Sequence, residues 1–445
     1  MNNSTIFVGI ASYRDDELVP TLLDMFDKAA QPERLHIAVC WQDNGDLSPF
    51  INQGFVSQSL GEHQGHLLYR LTKGNAAFQL LAVEYLKGQG PCWARHTCNT
   101  LFRGERYHLQ IDSHSRFIPN WDSEMIAMLE SLRAQSLRPV LTHYPPPYTP
   151  GQDVVKRSQK VSRLIFNQFN AKGILSLKSA NMDEEKPRPG GYLAAGLIFC
   201  DGHFIENVPY DPQLFFVGEE ISLAARAYTH GYDLYTPNKP LIWHYYSRCS
   251  APKFWQDHTG DAKNKGEVEE TWWARDARSV QRIRSLLNID DEPVELGHYG
   301  LGTQRSLQEF QHRIGIDFRQ QRVHHRVCSE EQMSWFDPLP VSSGLWQQQL
   351  LYPHQRMWKL KHTEVNVERT DVLWWQLSVY RADNTTLMNQ QLSSEAIKKL
   401  IQHDDGESFE LKVHFHITSP VTAHSMRLCP YIAGEGWGEI RERAW

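Results

Sequence analysis

The sequence predicts an α/β fold that is followed by a smaller, β-rich domain. Residues 5–10 form a short apolar run, which is typical of a buried parallel strand. Residues 17–30 carry leucine and phenylalanine at helical spacing, and residues 35–41 form a second apolar run. The order strand, helix, strand indicates a parallel pair joined by a right-handed crossover. The polar residues 11–16 predict that the first strand ends at residue 10.

Length and composition limit the functions that this chain can have. Its 445 residues allow two or three domains, and its net charge of -6 argues against general binding to nucleic acid or to a membrane surface. The sequence has no apolar run of transmembrane length, and its first residues lack the basic segment and cleavage site of a signal peptide. The seven cysteines include no CxxC pair, so we expect a cytoplasmic protein without a structural zinc site.

The middle of the chain continues the alternation of strands and helices. The predicted elements are a helix over residues 91–102, a strand over 108–111, a helix from about 122 to 133 and a strand over 139–144. Residues 51–90 show no regular pattern, and we interpret residues 152–190 as a mobile insertion over a cleft. Neither GxGxxG nor GxxxxGK[ST] occurs, so a dinucleotide site and a P-loop have no support.

A carboxylate and an imidazole follow the predicted strand over residues 108–111. Asp112 stands where that strand reaches the carboxyl edge of the sheet, which is where open α/β sheets bind ligands. Because residues i and i+2 of an extended segment point the same way, Asp112 and His114 can converge on one ion. This pair suits Mn²⁺ or Mg²⁺ with positions open for phosphate oxygens. The alternative for so common a spacing is a strand followed by a polar turn.

Two further stretches carry candidate ligand-binding residues. Arg95 and Asn99 are four residues apart, so they share one face of a predicted helix. The planar guanidinium of Arg95 could reach a diphosphate there, and the alternative is a solvated helix face. Small residues at Ala195 and Gly196 allow the backbone to approach a ligand closely.

Adjacent acids begin the next predicted helix. Glu219 and Glu220 are favoured in a first turn by the helix dipole, and the functional alternative is a carboxylate that orients an acceptor hydroxyl. Residues 233–237 and 241–246 predict a strand pair, or a strand and a loop. His244 could return from there to the edge that carries Asp112. A single histidine at a strand end is otherwise a structural residue.

The candidate stretches described above, taken in their order along the chain, resemble the A-type glycosyltransferase fold, which has a Rossmann-like mixed sheet. They resemble in particular glycosyltransferase family 60, the polypeptide N-acetylglucosaminyltransferases that modify hydroxyproline of a cytosolic Skp-type adaptor and mucin threonines. The resemblance covers about residues 4–320 and rests on residues 6–17, 94–99, 110–114, 215–220, 242–246 and 299–306. The Asp-x-His element is also similar to that of animal mucin-type N-acetylgalactosaminyltransferases, so the donor sugar stays open.

The resemblance implies a role for each candidate residue. Asp112, His114 and His244 would hold Mn²⁺, or Mg²⁺, on the diphosphate of a UDP-sugar. The other donor contacts would come from Arg95 and Asn99 at the diphosphate or ribose, from Ser12 and Arg14 beside the nucleobase, and from Ala195 and Gly196. Glu219 and Glu220 would face the donor sugar or the acceptor hydroxyl, and the choice between them is open. The family also implies retention of the anomeric configuration.

The resemblance ends near residue 325. Residues 326–350 are rich in Ser, Pro, Gly and Gln and are predicted to form a linker, and residues 351–445 are predicted to form a β-rich accessory domain. The predicted elements of this domain are strands over 373–380 and 409–417, a helix over 393–402 and an alternating segment over 363–369. Its tryptophans would line a carbohydrate-binding or protein-docking surface, or else form its core: Trp374, Trp375, Trp437 and Trp445.

The sequence therefore predicts a catalytic domain over residues 1–325 that acts as a metal-dependent, retaining glycosyltransferase. It would move N-acetylglucosamine from UDP-N-acetylglucosamine to a serine, threonine or hydroxyproline hydroxyl of a protein acceptor. One alternative is the transfer of another UDP-sugar to a glycan or a lipid-linked acceptor. The other is a sugar-binding protein without catalytic turnover.

Overall fold

A computed structural model describes residues 4–331, 335–338 and 343–445. The chain divides into two compact units, of which the first is Met1–Gln320 with Arg326–Val341 and the second is Gln321–His325 with Ser342–Trp445. Part of the predicted linker, residues 332–334 and 339–342, lies outside the described residues. Among the described residues, no helix is long and apolar enough to cross a membrane.

The first unit is built around a large sheet. The strands of this unit, ten of which form the large sheet, are β1 (Ile6–Tyr13), β2 (Leu35–Asp43), β3 (Val56–His63), β4 (His66–Lys73), β5 (Ala76–Glu84), β6 (Tyr107–Asp112), β7 (Ser115–Phe117), β8 (Pro139–Thr142), β9 (Val161–Phe169), β10 (Leu175–Met182), β11 (Arg188–Gly190), β12 (Leu197–Asp201), β13 (Asp233–Thr236), β14 (Ile242–His244) and β15 (Ile316–Asp317). The ten-stranded sheet has the order β11-β13-β8-β12-β6-β1-β2-β5-β4-β3. Strands β6, β1, β2 and β5 are parallel, and β12 is antiparallel to both of its neighbours.

Helices cover both faces of this sheet. They are α1 (Leu18–Lys28), α2 (Ser48–Ile51), α3 (Pro91–Asn99), α4 (Trp121–Ser131), α5 (Phe204–Asn207), α6 (Glu219–Thr229), α7 (Phe254–Asp257), α8 (Gly260–Asn264), α9 (Trp272–Leu286) and α10 (Leu307–Ile314). Short 3₁₀ turns occupy Pro32–Arg34, Tyr85–Lys87, Val154–Lys156, Gly297–Tyr299 and His325–Cys328. Leu22 of α1 and Met125 of α4 belong to the apolar cluster on one face, and Ala94 of α3 belongs to a second cluster. The predicted α/β class is therefore confirmed, with its parallel β1–α1–β2 opening.

Three predictions for this unit were wrong, and one was incomplete. The first strand continues through Tyr13 because its polar end still pairs with β2. Residues 51–90 hold the antiparallel strands β3, β4 and β5, which escaped prediction because β3 is an exposed edge strand without apolar alternation. The prediction for the insertion over residues 152–190 was incomplete, because it did not include the antiparallel hairpin β9–β10 that this segment contains. The two strands predicted near residues 233–246 do not pair with each other, since β13 pairs with β8 and β14 pairs with β7.

The second unit consists of two packed sheets. Its elements are β16 (Arg322–His324), α11 (Ser343–Gln348), β17 (Leu350–Lys361), β18 (Val372–Tyr380), β19 (Thr386–Leu392), α12 (Ser394–Lys399), β20 (Ile401–Asp404), β21 (Ser408–Ile417), β22 (Ser425–Ile432), β23 (Gly436–Trp437) and β24 (Arg441–Ala444). One sheet is β16-β17-β21-β20, and the other is β19-β18-β22 with β23 and β24 on β22. Buried side chains from both sheets share one apolar cluster.

The β-rich character predicted for this region is confirmed, but its elements differ in part. Strands β18 and β21 and helix α12 lie where they were predicted. The alternating residues 363–369 form turns instead of a strand, although Val365 and Val367 are buried in the core. A helix, α11, lies within the predicted linker.

Candidate active site

The candidate site is a cleft at the carboxyl edge of the large sheet. Strands β1 and β6 run parallel with Ala11 opposite Asp112, so both strands end at this edge. The cleft has a volume of about 600 Å³. Its lining includes the ends of both strands, the start of α6 and residues of the β9–β10 hairpin. This is the position at which open α/β sheets bind ligands.

An acid and two imidazoles meet in this cleft. Asp112 is the last residue of β6, and His114 follows two residues later. His244 is the last residue of β14, which pairs antiparallel with β7 and places His244 opposite Ser115. One ligand atom from each of Asp112, His114 and His244 lies within 4.8 Å of the others. The structure therefore brings together the three residues that the sequence suggested as metal ligands.

The spacing and chemistry of these groups fit a divalent cation. Nε2 of His244 lies 3.1 Å from Oδ2 of Asp112. Two neighbouring ligands on an octahedral ion, with bonds of about 2.1 Å at right angles, lie about 3 Å apart. Nδ1 of His244 is buried without a hydrogen-bond partner among the described residues, so Nε2 is the nitrogen that faces the cluster. Carboxylate and imidazole ligands are compatible with Mn²⁺ and Mg²⁺.

The protonation states also favour a cation. Burial alone would raise the pKa of Asp112, but the hydrogen bond from His244 and the charge of Arg95 outweigh it and hold that pKa well below its usual range. Burial lowers the pKa of His244, against the opposing effect of Asp112. At neutral pH the site therefore offers an ionised carboxylate and a neutral imidazole, which are the forms that bind metal ions.

A second acid, Asp15, orients His114. Oδ2 of Asp15 accepts hydrogen bonds from Nδ1 of His114 at 2.8 Å and from the hydroxyl of Ser113. Arg248 pairs with Oδ1 of Asp15 at 2.9 Å. The bonds to His114 and Arg248 hold the pKa of Asp15 below its usual value although burial opposes them. With Nδ1 occupied in this way, Nε2 of His114 is left for the cluster.

Arg95 connects the acid cluster to helix α6. It extends from α3 and donates one hydrogen bond to Oδ1 of Asp112 at 2.7 Å and another to Glu219. Its side chain is nearly fully buried, as is that of Glu219. A buried guanidinium at this point places fixed positive charge against the cleft, which is where a diphosphate next to a bound cation would lie.

The two acids that start α6 have different partners. Glu219 is paired with Arg95, whereas Glu220 accepts hydrogen bonds from the Tyr144 hydroxyl at 2.6 Å and from the Ala195 amide at 3.1 Å. Burial raises the pKa of Glu220 to about 7, against the effect of these two hydrogen bonds. Both residues line the cleft. They therefore present one carboxylate neutralised by an arginine and one that titrates near neutral pH.

Glycines shape two walls of the site. Gly218 precedes α6 with a φ of +85°, and a Cβ there would lie 2.6 Å from Cδ1 of Ile283. Gly196 packs against the acid of the cluster, because a Cβ on it would lie 3.2 Å from Oδ2 of Asp112. Ala195 lines the cleft beside it. The small residues thus permit the close approach that their composition suggested.

Of the remaining residues that were predicted to contact the donor, one lines the cleft and two do not. Ser12 lines the cleft, and its buried hydroxyl has no hydrogen-bond partner among the described residues. Arg14 pairs with Asp257 at 2.9 Å and lies over the ring of Tyr85. Among the residues that the structure describes, neither Arg14 nor Asn99 lines the cleft. The side chain of Asn99 instead lies near Gly9 on β1.

Sequence reasoning missed three residues of the site. Asp15 was visible only as an acid in the loop after the first strand, and Tyr144 and Arg248 follow the ends of later strands. Arg248 lines the cleft and adds a second positive charge to it. The position of each of these residues, just past a strand of the sheet or of the β7–β14 pair, was the available signal.

Comparison with known protein families shows the family of this chain. Residues 5–70 and 61–320 match the family model described as "Glycosyltransferase (GlcNAc)". With this match, the chain is an enzyme that transfers a sugar, with an A-type glycosyltransferase fold. The chain belongs to the glycosyltransferase (GlcNAc) family. None of the curated proteins matches this sequence.

Several solved structures are similar to this chain at low identity. GalNAc-T7, in a crystal structure with UDP, GalNAc and Mn²⁺, is 13% identical over 64% of this chain and 48% of its own, with a TM-score of 0.43. This chain thus spans about half the length of that protein. TarS from S. aureus is 11% identical over 99% of this chain and 77% of its own, with a TM-score of 0.36. Its fragment 1–349 is 11% identical over 63% and 71%, with a TM-score of 0.35.

Proposed function

We propose that this enzyme transfers N-acetylglucosamine from UDP-N-acetylglucosamine to a serine, threonine or hydroxyproline hydroxyl of a protein, with retention of configuration and with a requirement for Mn²⁺ or Mg²⁺. The observation that carries the proposal is the convergence of Asp112, His114 and His244 at the carboxyl edge of the sheet. The description of the matching family supports the donor sugar. The polypeptide acceptor rests on the resemblance to glycosyltransferase family 60.

The diphosphate of the donor would bind between the acid–imidazole cluster and two arginines. Asp112, His114 and His244 would hold the cation, which supplies positive charge to the diphosphate when it is bound. Arg95 and Arg248 line the same cleft and would contact phosphate oxygens that the cation leaves free. The buried polar edge of β1, where the hydroxyl of Ser12 has no hydrogen-bond partner among the residues that the structure describes, would face the nucleoside.

The transfer exchanges one bond to the anomeric carbon for another. The acceptor oxygen would attack that carbon on the face from which the UDP leaves, so a new glycosidic bond forms as the bond to the β-phosphate oxygen breaks. The departing phosphate oxygen would take the proton of the acceptor hydroxyl. The charge that develops on that oxygen would be stabilised by Arg95. Glu219 or Glu220 would position the sugar or the acceptor hydroxyl, since both border the cleft.

The mouth of the cleft offers an apolar surface for an acceptor. Phe216, Val217 and Trp255 line the cleft and are 42%, 39% and 46% exposed, respectively. Phe216 adopts a φ of +45°, which is sterically costly for a bulky residue. Strain of this kind tends to occur at functional sites. Exposed aromatic side chains next to a polar cleft suit an acceptor that contributes apolar side chains.

The proposal assigns the reaction to residues 1–325 and an accessory role to residues 351–445. We propose a cytoplasmic location for the enzyme because its buried cysteines Cys40, Cys92, Cys98, Cys200 and Cys429 are thiols. Its partners would be the UDP-sugar and a protein acceptor, without nucleic acid, because the net charge is -6.

The test is the release of UDP from UDP-N-acetylglucosamine, UDP-N-acetylgalactosamine and UDP-glucose, with Mn²⁺ and with EDTA. We expect hydrolysis of UDP-N-acetylglucosamine that requires Mn²⁺ and that falls about a thousandfold or more in Asp112→Ala, since the cation contributes several kcal/mol. The matched control is Asp43→Ala, which removes an acid at the end of β2, a parallel strand of the same sheet. A preference for another donor would support the alternative sugar. UDP binding without any turnover, even with acceptor peptides, would indicate a non-catalytic protein.

A further inference from the structure

The second unit presents an aromatic surface on the outside of its β18–β22 sheet. Along β18, Trp375, Leu377 and Val379 are almost completely buried in the core between the sheets. Because side chains alternate along a strand, the intervening residues project from the opposite face. We define this outer face by residues of β18, β22 and β23, which are Trp374, Gln376, Tyr380, Arg427, Tyr431 and Trp437.

Three of these side chains form one aromatic cluster. The rings of Trp374 and Tyr431 are stacked, with centroids 4.1 Å apart and planes that differ by 6°. Trp437 stands at 81° to Tyr431, with centroids 5.1 Å apart, and is 59% exposed. The other two tryptophans highlighted in the sequence have different positions, because Trp375 is buried and Trp445 packs on Phe415.

Polar amides and hydroxyls surround the rings. Gln376 and Ser378 both donate hydrogen bonds to the side-chain oxygen of Asn389, with a distance of 2.6 Å for Ser378. Gln391 is exposed and lies opposite Gln376 in the strand register. Amide groups both donate and accept hydrogen bonds, so these side chains can bond to hydroxyl groups that act as acceptors or as donors.

The charges of the outer face compensate each other. Arg427 pairs with Glu442 at 3.1 Å and its guanidinium lies over the ring of Tyr380 at 4.6 Å. Arg427 is the only charged residue among those that define the face, and its partner lies opposite it on β24. A face without net charge gives no electrostatic attraction to a nucleic acid or an acidic peptide. Its chemistry therefore favours a neutral ligand that has both apolar patches and hydroxyl groups.

We infer that this outer face binds a neutral oligosaccharide chain. The aromatic cluster, with the exposed ring of Trp437, packs against the C–H faces of sugar rings, and the amides of Gln376 and Gln391 bond to their hydroxyls. Trp374 and Tyr380 are six residues apart on β18, which corresponds to about 20 Å of extended strand and to several sugar rings. Such a site on the same chain would raise the local concentration of a glycan-bearing substrate for the catalytic cleft.

The experiment measures the binding of three neutral oligosaccharides to the full chain: chitotetraose, cellotetraose and maltotetraose. Titrations use calorimetry and tryptophan fluorescence, with saturating UDP and Mn²⁺ present so that the cleft is occupied. We expect at least one oligosaccharide to bind, and Trp437→Ala and Gln391→Ala to weaken it tenfold or more. The control Trp273→Ala removes a tryptophan of similar exposure, 48%, from the first unit and should bind as the wild type does.

UDP release from the donor separates this inference from a general loss of structure. Trp437→Ala and Gln391→Ala should retain the basal rate, because both residues are exposed and lie in the second unit. The inference would be overturned if none of the three oligosaccharides bound at millimolar concentration, or if the substitutions left binding unchanged. A wild-type dimer that becomes monomeric in Trp437→Ala, measured by sedimentation, would also overturn it by showing that a second copy covers the face.

Discussion

Asp15 holds the imidazole of His114 by a 2.8 Å hydrogen bond from Nδ1 to its Oδ2 atom. The acid lies in the loop after β1, and the histidine lies between β6 and β7, so two parallel neighbouring strands contribute to one interaction. Arg248 secures the other oxygen of the same carboxylate. His114, a candidate metal ligand, is thus oriented by Asp15, which is not itself one of the three candidate ligands.

Replacing Asp15 should weaken metal binding while the fold persists. An amide at this position no longer enforces a proton on Nδ1 of His114, and partners of this type are worth 10- to 100-fold in metal affinity. We therefore expect Asp15→Asn to bind Mn²⁺ about 10 to 100 times more weakly, as measured by electron paramagnetic resonance titration. The matched control is Asp16→Asn, because Asp16 is the exposed neighbour. If Asp15→Asn bound Mn²⁺ with wild-type affinity, Asp15 would have no role in positioning His114.

Glu220 should make folding stability depend on pH. Its folded-state pKa is raised to about 7, so the stability that it contributes is fully present below the unfolded pKa near 4.5 and is lost as the pH rises through 7. Relative to Glu220→Gln, the wild type should lose up to a few kcal/mol of unfolding free energy between pH 4.5 and pH 7.5. Urea denaturation across this range measures the difference. A constant difference at all pH values would mean that folding does not raise the pKa of Glu220.

The Arg95–Glu219 pair should be strongly coupled because both side chains are buried. Arg95→Met leaves two acids without their partner, and breaking a buried pair costs about 3 to 5 kcal/mol. The double variant Arg95→Met/Glu219→Gln should recover part of that loss in chemical denaturation. The exposed pair of Lys239 and Glu124 serves as the control, with a coupling below about 1 kcal/mol. Equal coupling in the two pairs would contradict the buried bridge.

The removal of Arg95 should weaken nucleotide binding without weakening metal binding. Arg95 occupies Oδ1 of Asp112, so its removal leaves that carboxylate available and should not weaken Mn²⁺ binding in the absence of nucleotide. UDP binding in the presence of Mn²⁺ should weaken about tenfold or more, since a charge-assisted contact to phosphate is lost. Calorimetric titration of Arg95→Met with each ligand distinguishes the two effects. A parallel loss of both affinities would indicate general disruption of the site.

Gly196→Ala should damage the site through a single methyl group. The added Cβ would lie 3.2 Å from Oδ2 of Asp112 and 3.8 Å from Cδ2 of His244, so the carboxylate must move by a few tenths of an ångström. We expect a roughly tenfold loss of Mn²⁺ affinity, with little change in the melting temperature. Gly190→Ala is the control, because its Cβ would meet only the Thr236 hydroxyl at 3.7 Å. Unchanged metal binding in Gly196→Ala would show that the site accommodates the added methyl group without a change in its metal ligands.

The local sequence pattern was sufficient to predict those strands and helices in which burial follows the periodicity of the element. Strand β6 ends at Asp112 as expected, and α6 begins at Glu219, because apolar runs and helical spacing respond to short-range sequence. The edge strand β3 and the hairpin β9–β10 were missed because long-range pairing gives them regular structure without a clear apolar alternation in the sequence. The segment over residues 363–369 shows the converse, since its alternation buries two valines without strand pairing.

The sequence by itself determined the α/β class, the carboxyl-edge position of Asp112 and His114, and the candidate set to which Arg95 and His244 belong. These conclusions follow from neighbouring residues and from motif order. Only the tertiary structure decided that Asp15 orients His114, that Glu219 pairs with Arg95 while Glu220 pairs with Tyr144, and that Asn99 lies away from the cleft. The physical reason is distance along the chain: these partners are 76 to 124 positions apart and meet through strand register and burial, which no local pattern encodes.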